Sequence, residues 1–166
     1  MKGPAGVDVP NKRARIYGTG NNILCWTPLP TIALAAANML RNPSAILNRP
    51  IYINTVPELT QNILLSTMES VLGIKFTVEH VDVEKINKNA RIALERGEEM
   101  KAMKGLTISN QFFEGDSGND FRALVENETV GVEEVSVEDA VKQAIEIYGT
   151  EGPIVEGMYS VEACEI

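Results

Sequence analysis

The chain has 166 residues, enough for one core-forming domain, and its 44% apolar but only 5% aromatic content calls for a core packed from aliphatic side chains. A formal net charge of −8 argues against a phosphate-backbone partner, which demands clustered Lys and Arg, so no nucleic acid is expected. Cys25 and Cys164 form neither a CxxC pair nor a Cys/His cluster, the N-terminal MKGPAGVDVPNKRAR has no apolar leader core, and no apolar run approaches the roughly eighteen residues of a membrane span. A reduced, cytoplasmic protein off the membrane, without a metal centre or disulfide scaffold, is the expectation.

After a Gly- and Pro-rich lead, Arg13, Arg15, Ile16 and Tyr17 predict a short strand that ends in the turn Gly18-Thr19-Gly20-Asn21-Asn22. A dinucleotide fingerprint needs a third glycine and a helix opening directly behind the loop, whereas Ile23, Leu24, Cys25 and Trp26 follow here, so a plain turn is expected. Thr27 and Pro28 suit an N-cap and a first-turn proline. Behind them Leu29, Ile32, Ala33, Ala36, Met39 and Leu40 give one helix face, expected in the core, before Asn42-Pro43 stops the helix.

The stretch from 49 to 82 carries the clearest succession of signals and organises the rest. Pro50 opens a short strand at Ile51, Tyr52 and Ile53. Thr60 suits the N-cap of a helix whose apolar positions are Ile63, Leu64, Met68, Val71 and Leu72, and Gly73 suits its left-handed end. Phe76, Val78 and His80 then alternate with Thr77 and Glu79, the pattern of a strand with one buried face.

Asp82 caps the next predicted helix, which runs to Arg96 before Gly97 and buries a narrow stripe of Ile86, Ala90, Ala93 and Leu94. Helical character continues through Met100 and Met103, whose thioether chains suit gap filling, and becomes ambiguous after Gly105. Phe112, Phe113 and Phe121 bracket a polar loop that includes Asn119 and does not match the ligand spacing of an EF-hand, so it is assigned to a pocket edge instead of a metal site. Ser136 and Asp139 form a near capping box for a last helix carrying Val137, Ala140, Val141, Ala144, Ile145 and Tyr148. The acidic tail from 149 to 166 is expected to attach loosely. No nucleophile with its base, paired carboxylates or metal cluster can be assembled along the chain.

The segments ARIYGTGNN, TPLPTIALAAANMLRNP, NRPIYINTVPELTQNILLSTMESVLG followed by FTVEHVD, and FFEGDSGNDF, in that order and spacing, resemble the C-terminal portion of NmrA-like proteins. That family holds fungal NmrA-type regulators and isoflavone-reductase-like oxidoreductases of the atypical short-chain dehydrogenase kind, and the likeness spans about residues 12 to 148. The resemblance implies an α/β fold: the C-terminal part of a Rossmann protein, with a few short strands and about five helices, forming a single partial domain over residues 1–148. Residues 51–53 would be a late strand of the Rossmann sheet, and the helix behind Thr60 part of the substrate domain.

Family members bind NAD(P)(H) through a glycine-rich first turn that would precede residue 1, so no cofactor is expected to bind this chain alone. The chain would then be a fragment, a truncated gene product or a short descendant. A strand left without its neighbours exposes an open edge, so self-association or a protein partner is expected. Two functions follow from the resemblance. One is the substrate-binding portion of an NAD(P)-dependent reductase, not catalytic alone, taking a small aromatic or polyketide-like molecule at a pocket edge near Trp26, Thr27, Phe112, Phe113, Asn119 and Phe121. The other is a noncatalytic NmrA-type regulatory or interaction module.

Overall fold

The computed structural model describes residues 6–114 and 119–151. Among these, a mixed α/β arrangement is built from strands β1 (Val7–Asp8), β2 (Arg13–Tyr17) and β3 (Thr77–Val81), and helices α1 (Leu29–Arg41), α2 (Gln61–Leu72), α3 (Val83–Glu95), α4 (Glu99–Phe112) and α5 (Val137–Tyr148). The acidic tail beyond 151 and residues 115–118 of the polar loop lie outside the described residues.

The sheet order is β1-β2-β3, with β1 antiparallel and β3 parallel to β2. Gly6 makes the close approach to β2 possible: its φ is +81°, and a Cβ there would stand 2.3 Å from the Arg15 carbonyl oxygen. β1 is too short to pair with the whole of β2. The buried Gln61 side chain takes over at its end, with Oε1 accepting from the Tyr17 N–H at 2.8 Å and Nε2 donating to the Arg15 carbonyl at 3.2 Å. A side-chain amide carries one donor and one acceptor, so it satisfies the β2 edge as a peptide group would.

Alternation along β2 sends its side chains to both faces. Ala14 and Ile16 join Val7, Val9, Leu65, Met68, Phe76 and Val141 on the side of α2 and α5. Tyr17 joins Leu24, Val56, Leu59, Val83, Ile86, Ile108 and Phe112 on the side of α3 and α4. α3 and α4 are joined by a short turn through Gly97 and pack as a helical hairpin, with Ala90, Ala93, Ala102 and Gly105 buried between flanking elements. α4 therefore continues through Gly105, beyond the point where the sequence became ambiguous, because burial against a neighbour outweighs the roughly 1 kcal/mol propensity cost of one glycine.

Helix ends at Thr60, Asp82 and Ser136 form as the sequence indicates, with side chains accepting from the N–H groups of Ile63, Lys85 and Asp139. Gly73 closes α2 at φ 64°. Five expectations are corrected. Residues 51–53 form no strand: Tyr52 makes a single parallel bridge to Val125, since no longer strand lies beside it to extend a ladder. Of the face assigned to β3, Phe76 is buried but Val78 and His80 are exposed, because β3 is the sheet edge and nothing among the described residues covers it there. The N-cap of α1 is Pro28, without a side-chain cap bond, because the Thr27 hydroxyl is turned to the Ile53 carbonyl. Met100 and Met103 fill no gap; both face outward on α4.

The fifth correction concerns α1 as a whole. Of the face expected in the core, Leu29, Ile32, Ala33, Ala36 and Leu40 are exposed, and Ala35 is the buried residue of the helix. α1 docks by its other side, where Ala35 meets Val130 and Val132, and Asn38 Nδ2 donates to the Val130 carbonyl at 2.9 Å.

Candidate binding groove

An apolar groove of about 330 Å³ opens between β1, the segment at 26–30, α2 and α5. Its floor comes from an extended segment that hydrogen bonds hold on both sides. Leu24 N–H donates to the Leu59 carbonyl, Trp26 pairs with Val56 in an antiparallel bridge, and Val135 N–H donates to the Thr55 carbonyl. Asn54 and Asn127 exchange reciprocal bonds: the Asn54 N–H donates to Asn127 Oδ1 at 3.1 Å, and Asn127 Nδ2 donates to the Asn54 carbonyl at 2.8 Å. Val56 and Leu59 are thereby fixed at the base of the groove.

The walls are Val7 from β1, Val9 just behind it, Leu64 and Met68 from α2, and Val137, Ala140, Val141 and Ala144 from α5. Trp26, Thr27, Pro28 and Leu29 form one rim and Ile147 with Tyr148 another. α5 packs beside α2, with Val141 in the core they share, and it also lends Val137, Ala140 and Ala144 to the groove. Among the described residues, no Asp, Glu, Lys, Arg or His lines it. The Thr27 hydroxyl donates to the Ile53 carbonyl and accepts from the Thr55 N–H, which leaves the Trp26 indole N–H, Gln143 and the Tyr148 phenol as the other polar groups of the described lining. Such a surface binds apolar molecules by burial and orients them with few polar contacts. It supplies no general acid or base of its own beyond that rim phenol.

The six residues assigned from sequence to the pocket edge separate. Trp26 and Thr27 meet at the groove. Phe112 is 1% exposed and stacks on Tyr17 with ring centroids 4.6 Å apart, a core contact on the other side of the sheet. Phe113 lies at the surface after α4, Asn119 Nδ2 reaches the Gln111 carbonyl, and Phe121 tilts against Tyr52 with centroids 5.4 Å apart. The groove residues absent from the sequence assignment are those of β1, α2 and α5, with Val9, Val56 and Leu59, which read as ordinary core positions, and Pro28, Leu29 and Pro30 at the start of α1. The one available signal was the breadth of the α5 apolar face.

The Gly18-Thr19-Gly20 turn does not fit a dinucleotide phosphate. The Thr19 N–H donates to Glu114 Oε1 at 2.7 Å, and hydrogen bonds from Thr19 hold the Glu114 carboxyl below its ordinary pKa, so a negative charge already sits on the turn. A Cβ on Gly20 would stand 2.5 Å from Ile16 Cγ2, which shows how closely the turn folds onto β2. Near the Phe121 segment, burial pushes the Cys25 thiol above its usual pKa, the Phe121 backbone N–H opposing and Asp120 adding to the rise. A neutral, buried thiol is no nucleophile near pH 7. His80 is exposed, with Nδ1 3.2 Å from the Gly18 carbonyl oxygen. Among the described residues, no cluster of three or more His, Cys, Asp and Glu is placed to hold a metal ion, and no helix is long and apolar enough to cross a membrane. No family model matches the chain, and no curated protein or solved structure matches it.

Proposed function

We propose that this chain is the substrate-binding portion of an NmrA-like, NAD(P)-dependent oxidoreductase of the cytoplasm, and that its groove takes a small aromatic or polyketide-like molecule. The observation that carries the proposal is the groove itself: about 330 Å³ of almost wholly apolar space, within the size range of small-molecule sites, with the indole of Trp26 on its rim. The lining has the character of a binding surface, and the chain does not catalyse alone. The reducing cofactor belongs to a separate dinucleotide-binding half, since the glycine turn present here carries a carboxylate where a phosphate would have to lie.

Trp26 is the single tryptophan of the chain, so its emission reports on the groove directly. Titration with planar aromatic ligands, from 2-naphthol to a flavanone, is expected to change that emission saturably, and Ala144→Leu, which fills the groove, is expected to abolish the response. A flat titration with every ligand, or a response untouched by Ala144→Leu, would sink the proposal. Calorimetry with NADPH and NADH is expected to show no binding to the chain alone.

The second function, a noncatalytic regulatory or interaction module of NmrA type, is favoured by the lack of charged groups in the groove and by the uncovered α1 face. The Trp26 titration separates the two: saturable binding of a planar aromatic ligand that Ala144→Leu abolishes favours the substrate-binding function, and a chain indifferent to every such ligand favours the noncatalytic one.

A further inference from the structure

α1 carries an apolar stripe that nothing in the described chain covers. On a helical wheel Leu29, Ala33, Ala36 and Leu40 fall within a narrow arc, flanked on one side by Ile32 and on the other by Ala37. Leu29 is 65% exposed, Ile32 43% and Leu40 85%. The side of α1 that does dock, through Ala35 and Asn38, lies roughly opposite, so the stripe points away from its own domain.

The central arc of the stripe, Leu29, Ala33, Ala36 and Leu40, reads the same in both directions, and its flanks, Ile32 and Ala37, are both apolar. Leu29 pairs with Leu40, Ile32 with Ala37 and Ala33 with Ala36 about one midpoint, between Leu34 and Ala35. A twofold axis through that midpoint relates two antiparallel helices so that each residue of a pair meets the other member on the second copy. Alanines then face alanines at the centre, where the helix axes can approach to about 8 Å, and leucines close both ends. We propose that α1 is the contact helix of a homodimer, docked antiparallel on α1 of a second copy of this chain.

Electrostatics point to the same face. Each copy carries a formal charge of −8, so two copies repel unless they meet on neutral ground, and the stripe contains no charged residue. Area sets the extent. α1 is about 20 Å long, and a stable dimer buries about 800 Å² on each partner, more than one helical stripe supplies. The contact therefore continues from Leu29 onto the apolar groove rim at Tyr148, which is also exposed. The interface shares Leu29 and Tyr148 with the groove rim, whereas Ala33, Ala36 and Leu40 lie outside the groove lining.

Sedimentation equilibrium over a range of concentrations should give a species of twice the 18.1 kDa chain mass. Ala36→Glu, an exposed site in the isolated chain, should raise the dimer Kd by more than about 100-fold, because it places an uncompensated charge in an apolar contact. Circular dichroism of the variant checks that the fold persists. Register is read by cysteine pairing in a Cys164→Ser background. A mixture of the Leu29→Cys and Leu40→Cys chains should oxidise to a covalent dimer, while either chain alone should not, since like positions then lie about 16 Å apart along the axis, beyond disulfide reach. A monomer at all concentrations, a dimer indifferent to Ala36→Glu, or cross-linking of Leu29→Cys with itself would overturn the proposal. So would a monomer that uses α1 to bind a different protein.

Discussion

α1 and α3 are both 13 residues long, and they have opposite fates. α3 is the more polar helix, yet it buries Val83, Ile86, Ala90 and Ala93. α1 is far richer in apolar residues and buries Ala35. The difference lies in what the chain places next. A short turn after α3 returns α4 across its apolar stripe, so cover is local and forms with little loop entropy. α1 is followed by an irregular stretch from 46 to 60, and its cover comes from the distant 3-10 turn Asn127–Val130, which meets a different side of the helix. An apolar periodicity states that a face gains from burial. Topology decides whether the same molecule supplies the cover.

That contrast can be broken by mutation on the covered side. Phe112→Ala at the end of α4 removes the ring stacked on Tyr17 and should cost about 3–5 kcal/mol, read from the urea midpoint. If Phe112 were a ligand contact, stability would hold and the Trp26 titration would change instead. Gln61→Ala should cost about 2–4 kcal/mol, because it leaves the Tyr17 N–H and the Arg15 carbonyl without the Gln61 amide in a buried setting. Thr60→Ala removes one helix cap and should cost about 1 kcal/mol by the same measurement.

Proton linkage gives a weaker handle. Asp120 is held below its ordinary pKa by its hydrogen bonds with Arg122, Glu126 by those with Arg49, and Glu69 by that with Lys75. Carboxyls depressed in the folded state stabilise above their unfolded pKa, near 4, and that contribution disappears as pH falls through the folded values. Cys25 is shifted upward, so its contribution is complete below about pH 8.5 and declines as pH rises toward the folded value. A pH series of urea midpoints should therefore show a plateau between these limits, and Cys25→Ala should flatten its alkaline shoulder. The smallest effect is expected on the uncovered helix. Leu40→Ser should leave the stability of the monomer within about 0.5 kcal/mol, measured at a dilution that dissociates any dimer. A loss as large as that of Phe112→Ala would mean that α1 is covered within its own chain.

Local chemistry was legible at three helix starts and in β2, and misleading at Thr27 and at residues 51–53. The caps at Thr60, Asp82 and Ser136 rest on side chains that satisfy backbone groups three residues away, and the β2 strand rests on a two-residue repeat. The groove was half legible: Trp26 and Thr27 stood out by residue type, whereas Val7, Met68 and Val141 are aliphatic positions identical in character to those that fill a core. Phe112 was drawn toward the pocket by its aromatic neighbours in sequence, and the turn of α4 carried it to the opposite side of the sheet.

The sequence by itself determined where the helices behind Thr60, Asp82 and Ser136 begin, that Gly73 ends the first of them, and that several faces need apolar cover. Those are short-range matters, decided by hydrogen bonds and periodicities within a few residues. Only the tertiary structure decided that Gln61 completes the edge of β2, that residues 51–53 lack a strand partner, that α5 leaves a groove, and that α1 turns its apolar stripe outward. Burial depends on which distant segment arrives to exclude water, and no local pattern contains that information.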